Sequence, residues 1–259
     1  MFFSGGEPLS KQEVIDMMLF CKAKGLVVYM ITNGTLLEKH HCNVLKNIDR
    51  VIVSLHENYR EKIPLNILHD IKRDNNLQMS VVLNKQNFYA IDEYLEFAEQ
   101  FQTQISFNIQ KPQGRGKNKD CLEKKDILFA NRKIADHNFR KNGNFSPVYT
   151  ITNNLCCCFS DKQEVYTMLP NGDLHLCPVL PRNYRIGNVV DYTWKCNVKN
   201  TIEKLYDDWL KYKTNVCVKC ILKRKCHGIC MGEITSLTEK CIQCELKCDA
   251  FLGELIDAR

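Results

Sequence analysis

The chain has 259 residues, 44% of them hydrophobic and 25% charged, enough to bury one large core or a medium core beside a small one. Its formal net charge of +6 is mild for the length and no long basic stripe with interleaved aromatics runs through it, so nucleic acid is not an expected partner. No run of about eighteen apolar residues occurs, and Met1-Phe2-Phe3 lacks both a basic flank and a long apolar stretch, so the sequence predicts no membrane span, no secretory signal and a cytoplasmic location.

Up to about residue 150 short β-rich runs alternate with amphipathic helical stretches, the pattern of parallel βα units. Met1-Phe2-Phe3-Ser4-Gly5-Gly6-Glu7-Pro8 reads as the end of a strand and its loop. Ser10-Lys11-Gln12-Glu13 reads as a capping box, and Val14, Met18 and Cys21 continue an apolar helix face until Gly25 stops it. A strand is predicted over 26–31, a helix over 36–47, a strand over 50–55, a helix over 65–73 and a strand over 79–83. Ile91, Tyr94, Leu95, Ala98 and Phe101 recur at helical spacing, 105–109 forms the next strand, and a polar helix of roughly 123–140 closes the series. Polar or glycine residues follow each strand: Gly5, Gly6 and Glu7, then Thr32-Asn33-Gly34, Ser54, Asn84 and Gln110. Ligands of parallel βα barrels bind at the C-terminal strand ends, so these positions would line one mouth; taken singly, each is also an ordinary turn residue.

The second part begins near residue 151. Residues 165–168, the turn Pro170-Asn171-Gly172-Asp173 and residues 174–176 read as a β-hairpin that delivers Cys177, and a helix of roughly 201–212 leads into a cysteine cluster. Twelve of the fifteen cysteines lie between Cys156 and Cys248, which separates a cysteine-poor 1–150 from a metal-rich 151–259. Cytosolic thiols are kept reduced, and thiolates packed this densely repel one another unless a soft metal centre holds them. Cys217, Cys220, Cys226 and Cys230 stand as C-x2-C-x5-C-x3-C, with Cys248 beyond, and the spacing suits either an iron-sulfur cluster or a four-thiolate zinc site. Cys156, Cys157 and Cys158 are adjacent and cannot all reach one metal centre easily. Cys21, Cys42 and Cys121 read as plain thiols, Cys196 is unassigned, and Cys241 and Cys244 compete with Cys248. His227 reads as a hydrogen-bond donor beside the ligands. Lys219, Lys223, Arg224 and Lys225 either offset cluster charge and steer an acidic electron donor such as a flavodoxin, or form a solvated loop.

Gly5-Gly6-Glu7-Pro8 resembles the G-G-E-P motif of the radical S-adenosylmethionine superfamily. Cys158-x13-Gly172-x4-Cys177, followed by the cysteine cluster and a last cysteine, resembles its SPASM extension. With Thr32-Asn33-Gly34 and the run Gln110 to Arg115, the resemblance covers nearly the whole chain. It implies an α/β fold: a partial (β/α)6 TIM-like barrel over 1–150, joined to a small cysteine-rich auxiliary cluster domain over 151–259. The backbone at Gly5 and Gly6 and the Glu7 carboxylate would hold the amino group of S-adenosylmethionine. Ser54 and Asn84 would face its ribose or carboxylate, and Gln110 its adenine. Two auxiliary [4Fe-4S] clusters would be held, one by a member of the Cys156 to Cys158 triplet, best Cys158, with Cys177 and Cys230, the other by Cys217, Cys220, Cys226 and Cys248.

One motif of that family is missing. C-x3-C-x2-C, the ligand set of the cluster that reduces the sulfonium, occurs nowhere in the chain. The resemblance therefore implies that the first βα unit, roughly 30 to 50 residues, is absent, and that the chain as it stands is inactive. It further implies a peptide or protein substrate. Sulfatase maturases of the group place an aspartate after the cysteine matching Cys177; Pro178 stands there, which favours crosslinking of a ribosomal peptide over formylglycine formation. The other reading is a non-catalytic iron-sulfur protein that binds a peptide or passes electrons.

Overall fold

Five short strands follow one another across a parallel sheet in chain order, β1-β2-β3-β4-β5: Phe2–Phe3, Tyr29–Thr32, Arg50–Ser54, Leu77–Leu83 and Ile105–Ile109. They belong to a computed structural model that describes residues 1–40, 45–56, 58–73, 77–110, 120–141, 143, 145, 166–177, 180, 182–192 and 194–218. The chain separates into two compact units, Met1–Thr150 and Ile151–Arg259.

Right-handed crossovers that advance in one direction put every connecting helix on the same face. The burial pattern agrees. Met30, Val51, Val53, Met79, Val81, Leu83, Ile105 and Phe107 share the helix-covered face and are nearly inaccessible. The opposite face carries Tyr29, Ser54, Gln78, Val82, Ser106 and Asn108, all at least partly exposed. The unit is thus an α/β layer with one dry face and an opposite face on which partly exposed, mostly polar residues stand beside the buried Ile52 and Ser80.

The helices are α1 (Gln12–Ala23), α2 (Leu37–His40), α3 (Tyr59–Lys62), α4 (Leu65–Arg73), α5 (Ile91–Gln100) and α6 (Lys124–Lys141). The capping box expected at Ser10 does not form. Glu7 instead caps a 3-10 turn over Pro8–Ser10, the Ser10 hydroxyl is spent on the Glu7 carbonyl at 2.7 Å, and α1 starts behind Lys11 with no side-chain cap. Its apolar face is Ile15, Met18 and Cys21 rather than Val14. Its stop is as expected: Gly25 adopts φ +76° and Leu26 N donates to Cys21 O, closing the last turn. β2 begins three residues later than predicted because the Asp49 carboxylate takes the amide of Val28 and leaves Leu26 and Val27 outside the ladder. The helix predicted over 36–47 is shorter, α2 being followed by a 3-10 turn at Leu45–Asn47, with 41–44 outside the described residues. α3, unforeseen, starts at Asn58, whose φ of 57° lies in the left-handed region that asparagine tolerates. β4 begins two residues early.

In the second unit β6 (Thr167–Met168) and β7 (Asp173–His175) form the predicted antiparallel hairpin, and an unpredicted β8 (Arg185–Asn188) adds to β7. α7 runs over Trp194–Val216, well beyond the expected span. Trp194, Val198, Ile202, Leu205 and Trp209 stand at helical spacing and pack with Leu174, Leu176, Leu180, Tyr184 and Ile186. The apolar period therefore continues a full two turns upstream of Thr201. No helix among the described residues is long and apolar enough to cross a membrane.

Candidate functional site

Parallel strands carry their loops to a common rim, and the polar residues singled out in the sequence sit on it, at the C-terminal ends of β1, β3, β4 and β5. The loop after β1 turns through Gly5 at φ +86° and Gly6 at φ +57°, both in the left-handed region that glycine enters at no steric cost. A Cβ built on either would meet no atom within 4 Å, so the backbone faces open space.

Glu7 ties this loop to the next strand. Its Oε1 accepts from Leu9 N at 3.2 Å and from Thr32 Oγ1 at 2.8 Å, and its Oε2 accepts from Asn33 N at 2.8 Å. Thr32, 1% exposed, also accepts from Gly34 N at 3.1 Å, and Asn33 Oδ1 accepts from the Thr35 amide and hydroxyl. An ionised carboxylate offers about four lone-pair sites, so Glu7, with three donors, retains capacity for one more on Oε2.

The other end of the rim is built from amides. Asn84 Oδ1 accepts from the Gln86 and Asn87 amides, which shapes the loop after β4, while Asn84 Nδ2 donates to Gln110 Oε1 at 3.2 Å across the ends of β4 and β5. Ser54 ends β3 between these two groups, in register with Ser80, which is in register with Ser106; no hydrogen bond joins Ser54 to Glu7 or to Asn84 among the described contacts. Sequence reasoning missed Ser80, Ser106 and Asn108, which extend the polar face below the rim, Asn108 Nδ2 donating to Ser80 Oγ at 3.2 Å. The signal was there: polar residues alternate with apolar ones over Leu77 to Ser80 in β4 and along β5. Also missed was the clamp behind the rim. Lys85 reaches Asp126 and Glu123 at the start of α6; hydrogen bonding to Asp126 and then to Glu123 holds its ammonium above the usual value, and Lys85, ahead of Lys125, holds Glu123 below its own.

In the second unit Gly172 takes φ +83° in the hairpin turn, where a Cβ would come within 2.9 Å of Asn188 Oδ1. The Asp173 carboxylate accepts from Arg185 Nε at 2.6 Å, Asn188 Nδ2 at 3.0 Å and Asn171 Nδ2 at 2.8 Å, and the Asn188 and Asn171 bonds lead in keeping its pKa below the ordinary carboxylate range. Cys177 follows two residues after β7, half-buried against the Leu174 to Trp209 core and outside any disulfide. Cys217 follows directly on α7, its amide bonded to Lys213 O at 3.1 Å, and is likewise free of a disulfide. Of the expected ligand set these two are described. Cys158, Cys220, Cys226, Cys230 and Cys248 lie outside the described residues, as do Cys156, Cys157, Cys241, Cys244, His227 and the basic run Lys219 to Lys225. Among the described residues no three metal-ligating side chains converge.

No family model matches the chain, and no curated protein does so at a significant level. Solved structures do. SuiB of Streptococcus suis bound to S-adenosylmethionine superposes with a TM-score of 0.65 at 17% identity, over 93% of this chain and 64% of that one. SuiB bound to its precursor peptide SuiA gives 0.64 at 15% identity over 92% and 63%, and a further SuiB structure gives 0.55 at 16% identity over 69% and 50%. The chain thus spans less than two thirds of the length of SuiB. At these identities the likeness is one of fold, and the conclusion it carries is that this chain is folded as the corresponding part of SuiB is.

Proposed function

We propose that the chain belongs to a radical S-adenosylmethionine enzyme that modifies a peptide or protein, with a first unit of partial-barrel type and a second unit holding two auxiliary [4Fe-4S] clusters. The observation that carries this reading is the fold shared, over 93% of the chain, with a protein whose structures hold S-adenosylmethionine and a precursor peptide. The motifs Gly5-Gly6-Glu7-Pro8 and Cys217-x2-Cys220-x5-Cys226-x3-Cys230 support it independently.

The residues fit the cofactor. The unobstructed backbone at Gly5 and Gly6 lets a ligand approach closely, and the spare acceptor site on Glu7 suits the ammonium of the methionyl group. Ser54, Asn84 and Gln110 would present hydroxyl and amide groups to its ribose, carboxylate and adenine. Cys177 and Cys217, each at the end of a rigid element, fit thiolate ligands of the two clusters, with Cys158 and Cys230 completing the first and Cys220, Cys226 and Cys248 the second. When bound with its own cluster, S-adenosylmethionine supplies one-electron chemistry; the chain's part is to hold the cofactor, orient the peptide on the polar face and exclude water. These 259 residues contain no C-x3-C-x2-C, so the reductive step belongs to a form that carries one. That same feature favours a second reading, a non-catalytic iron-sulfur protein that binds a peptide or passes electrons.

Anaerobic reconstitution followed by iron and sulfide analysis tests the cluster assignment: roughly eight irons with matching sulfide per chain is expected, and zinc alone overturns it. Calorimetric titration with S-adenosylmethionine tests the first unit, and binding that survives in Glu7→Ala removes that residue from the site. Reduction by an acidic flavodoxin, weakened by raised salt, tests the basic run beside Cys220.

A further inference from the structure

At the opposite rim, below the N-terminal ends of β3, β4 and β5, the first unit contains a cavity of about 600 Å³. That volume falls within the usual range of small-molecule sites. β4, seven residues long, separates it from Asn84 by roughly 20 Å, so it is not part of the rim described above.

Its charges are unbalanced. Arg50, the first residue of β3, and Lys72, in the last turn of α4, both line it. Arg50 lies over the Tyr29 ring, 5.1 Å from its centroid, and makes one long hydrogen bond of 3.5 Å to Gln78 Oε1, contacts that leave most of its five donors unused. Neither cation has a carboxylate partner among the described residues. Among the described lining residues the one carboxylate, Glu99, is already engaged: its Oε1 lies 2.9 Å from Nε2 of His137, which is 3% exposed and packs at a tilt against the Phe145 ring. The contact is at ion-pairing distance but poorly aligned for a hydrogen bond. The Thr103 hydroxyl is spent on Leu77 O at 2.6 Å. Among the described residues, what faces the space is therefore two cations, the side-chain amides of Gln78 and Gln102, and the apolar surfaces of Leu77 and Phe145. The C-terminal end of α4 favours a cation there, but a helix dipole does not use up the hydrogen-bond donors of Lys72.

We propose that this cavity is a second binding site, for a small organic oxyanion, with Arg50 and Lys72 gripping the carboxylate or phosphate group and Phe145 and Leu77 contacting its body. The site is independent of the clusters and of S-adenosylmethionine.

The test is calorimetric titration of the anaerobic full chain with citrate and, separately, with inorganic phosphate. One-to-one saturable heat with either probe is expected, the responding probe naming the oxyanion class. Arg50→Gln and Lys72→Gln are each expected to weaken it at least about tenfold, as loss of a charge-assisted hydrogen bond does. Arg50 is exposed and Lys72 half-buried, and circular dichroism checks that the variants fold. Glu99→Gln, which removes the opposing carboxylate, is expected to tighten binding. Absence of saturation with both probes, titration of the Arg50 and Lys72 variants like the parent, or weaker binding in Glu99→Gln overturns the proposal.

Discussion

Thr32 Oγ1 donates a 2.8 Å hydrogen bond to Glu7 Oε1, joining the loop after β1 to the end of β2 across 25 residues of sequence. The carboxylate is thus part of the fold before any ligand arrives. Glu7→Ala leaves the buried Thr32 hydroxyl and the Asn33 amide short of an acceptor, and a loss of about 1 to 3 kcal/mol is expected. Urea denaturation of apo protein measures it; unchanged stability would show the latch to be inert. Glu7→Gln separates the two roles, because it keeps an acceptor for Thr32 but loses the charge that an ammonium needs.

Gly34 adopts φ +83°, and a Cβ there would stand 2.9 Å from Ile63 Cγ1. Gly34→Ala combines backbone strain with a clash and is expected to cost about 1 to 2 kcal/mol. In an Ile63→Ala background, which removes Cγ1, Gly34→Ala is expected to cost less than it does in the parent, read as a double-mutant cycle in thermal melts.

These two positions mark what was legible in the sequence. Asn-Gly after an apolar run announces a strand end, and the βα alternation together with the rim positions at Glu7, Ser54, Asn84 and Gln110 followed from such local signals. What was not legible depends on contacts distant in sequence. The start of β2 was moved by Asp49, 21 residues from Val28, and β8 has a short pattern that becomes a strand only by pairing with β7; the Ser10 capping box failed for a local reason, its hydroxyl bonding the Glu7 carbonyl three residues back. The upstream half of α7 was legible and was underread, since Trp194, Val198 and Ile202 keep the helical period.

Asp49 supplies a pH dependence. Its hydrogen bond with Lys22, ahead of the one from the Val28 amide, holds its carboxyl below the ordinary value of about 4. A lowered folded-state pKa gives stability that is complete above the unfolded value and drains away as pH falls through the folded one. With the pair about one-third exposed, solvent screening limits the contribution to about 0.5 to 1 kcal/mol. Asp49→Asn is expected to be less stable than the parent at pH 7 and equal to it near pH 2, read by denaturation at both values. A constant gap across that range would refute the assignment.

The cluster assignment predicts iron loss in halves. Cys177→Ala and Cys217→Ala are each expected to bind roughly four irons after reconstitution, and the double variant close to none. Full occupancy in either single variant would remove that residue from the ligand set.

The clasp of Asn171, Asp173, Arg185 and Asn188 is made entirely of protein atoms, and Leu176 is buried immediately before Cys177. The hairpin can therefore close on its own, and on the reading proposed above, in which Cys177 is a cluster ligand, less chain entropy remains to be lost when the metal binds. Under chelation, amide exchange across β6, β7 and β8 should stay slow while colour fades, the mark of a scaffold that forms ahead of its inorganic guest.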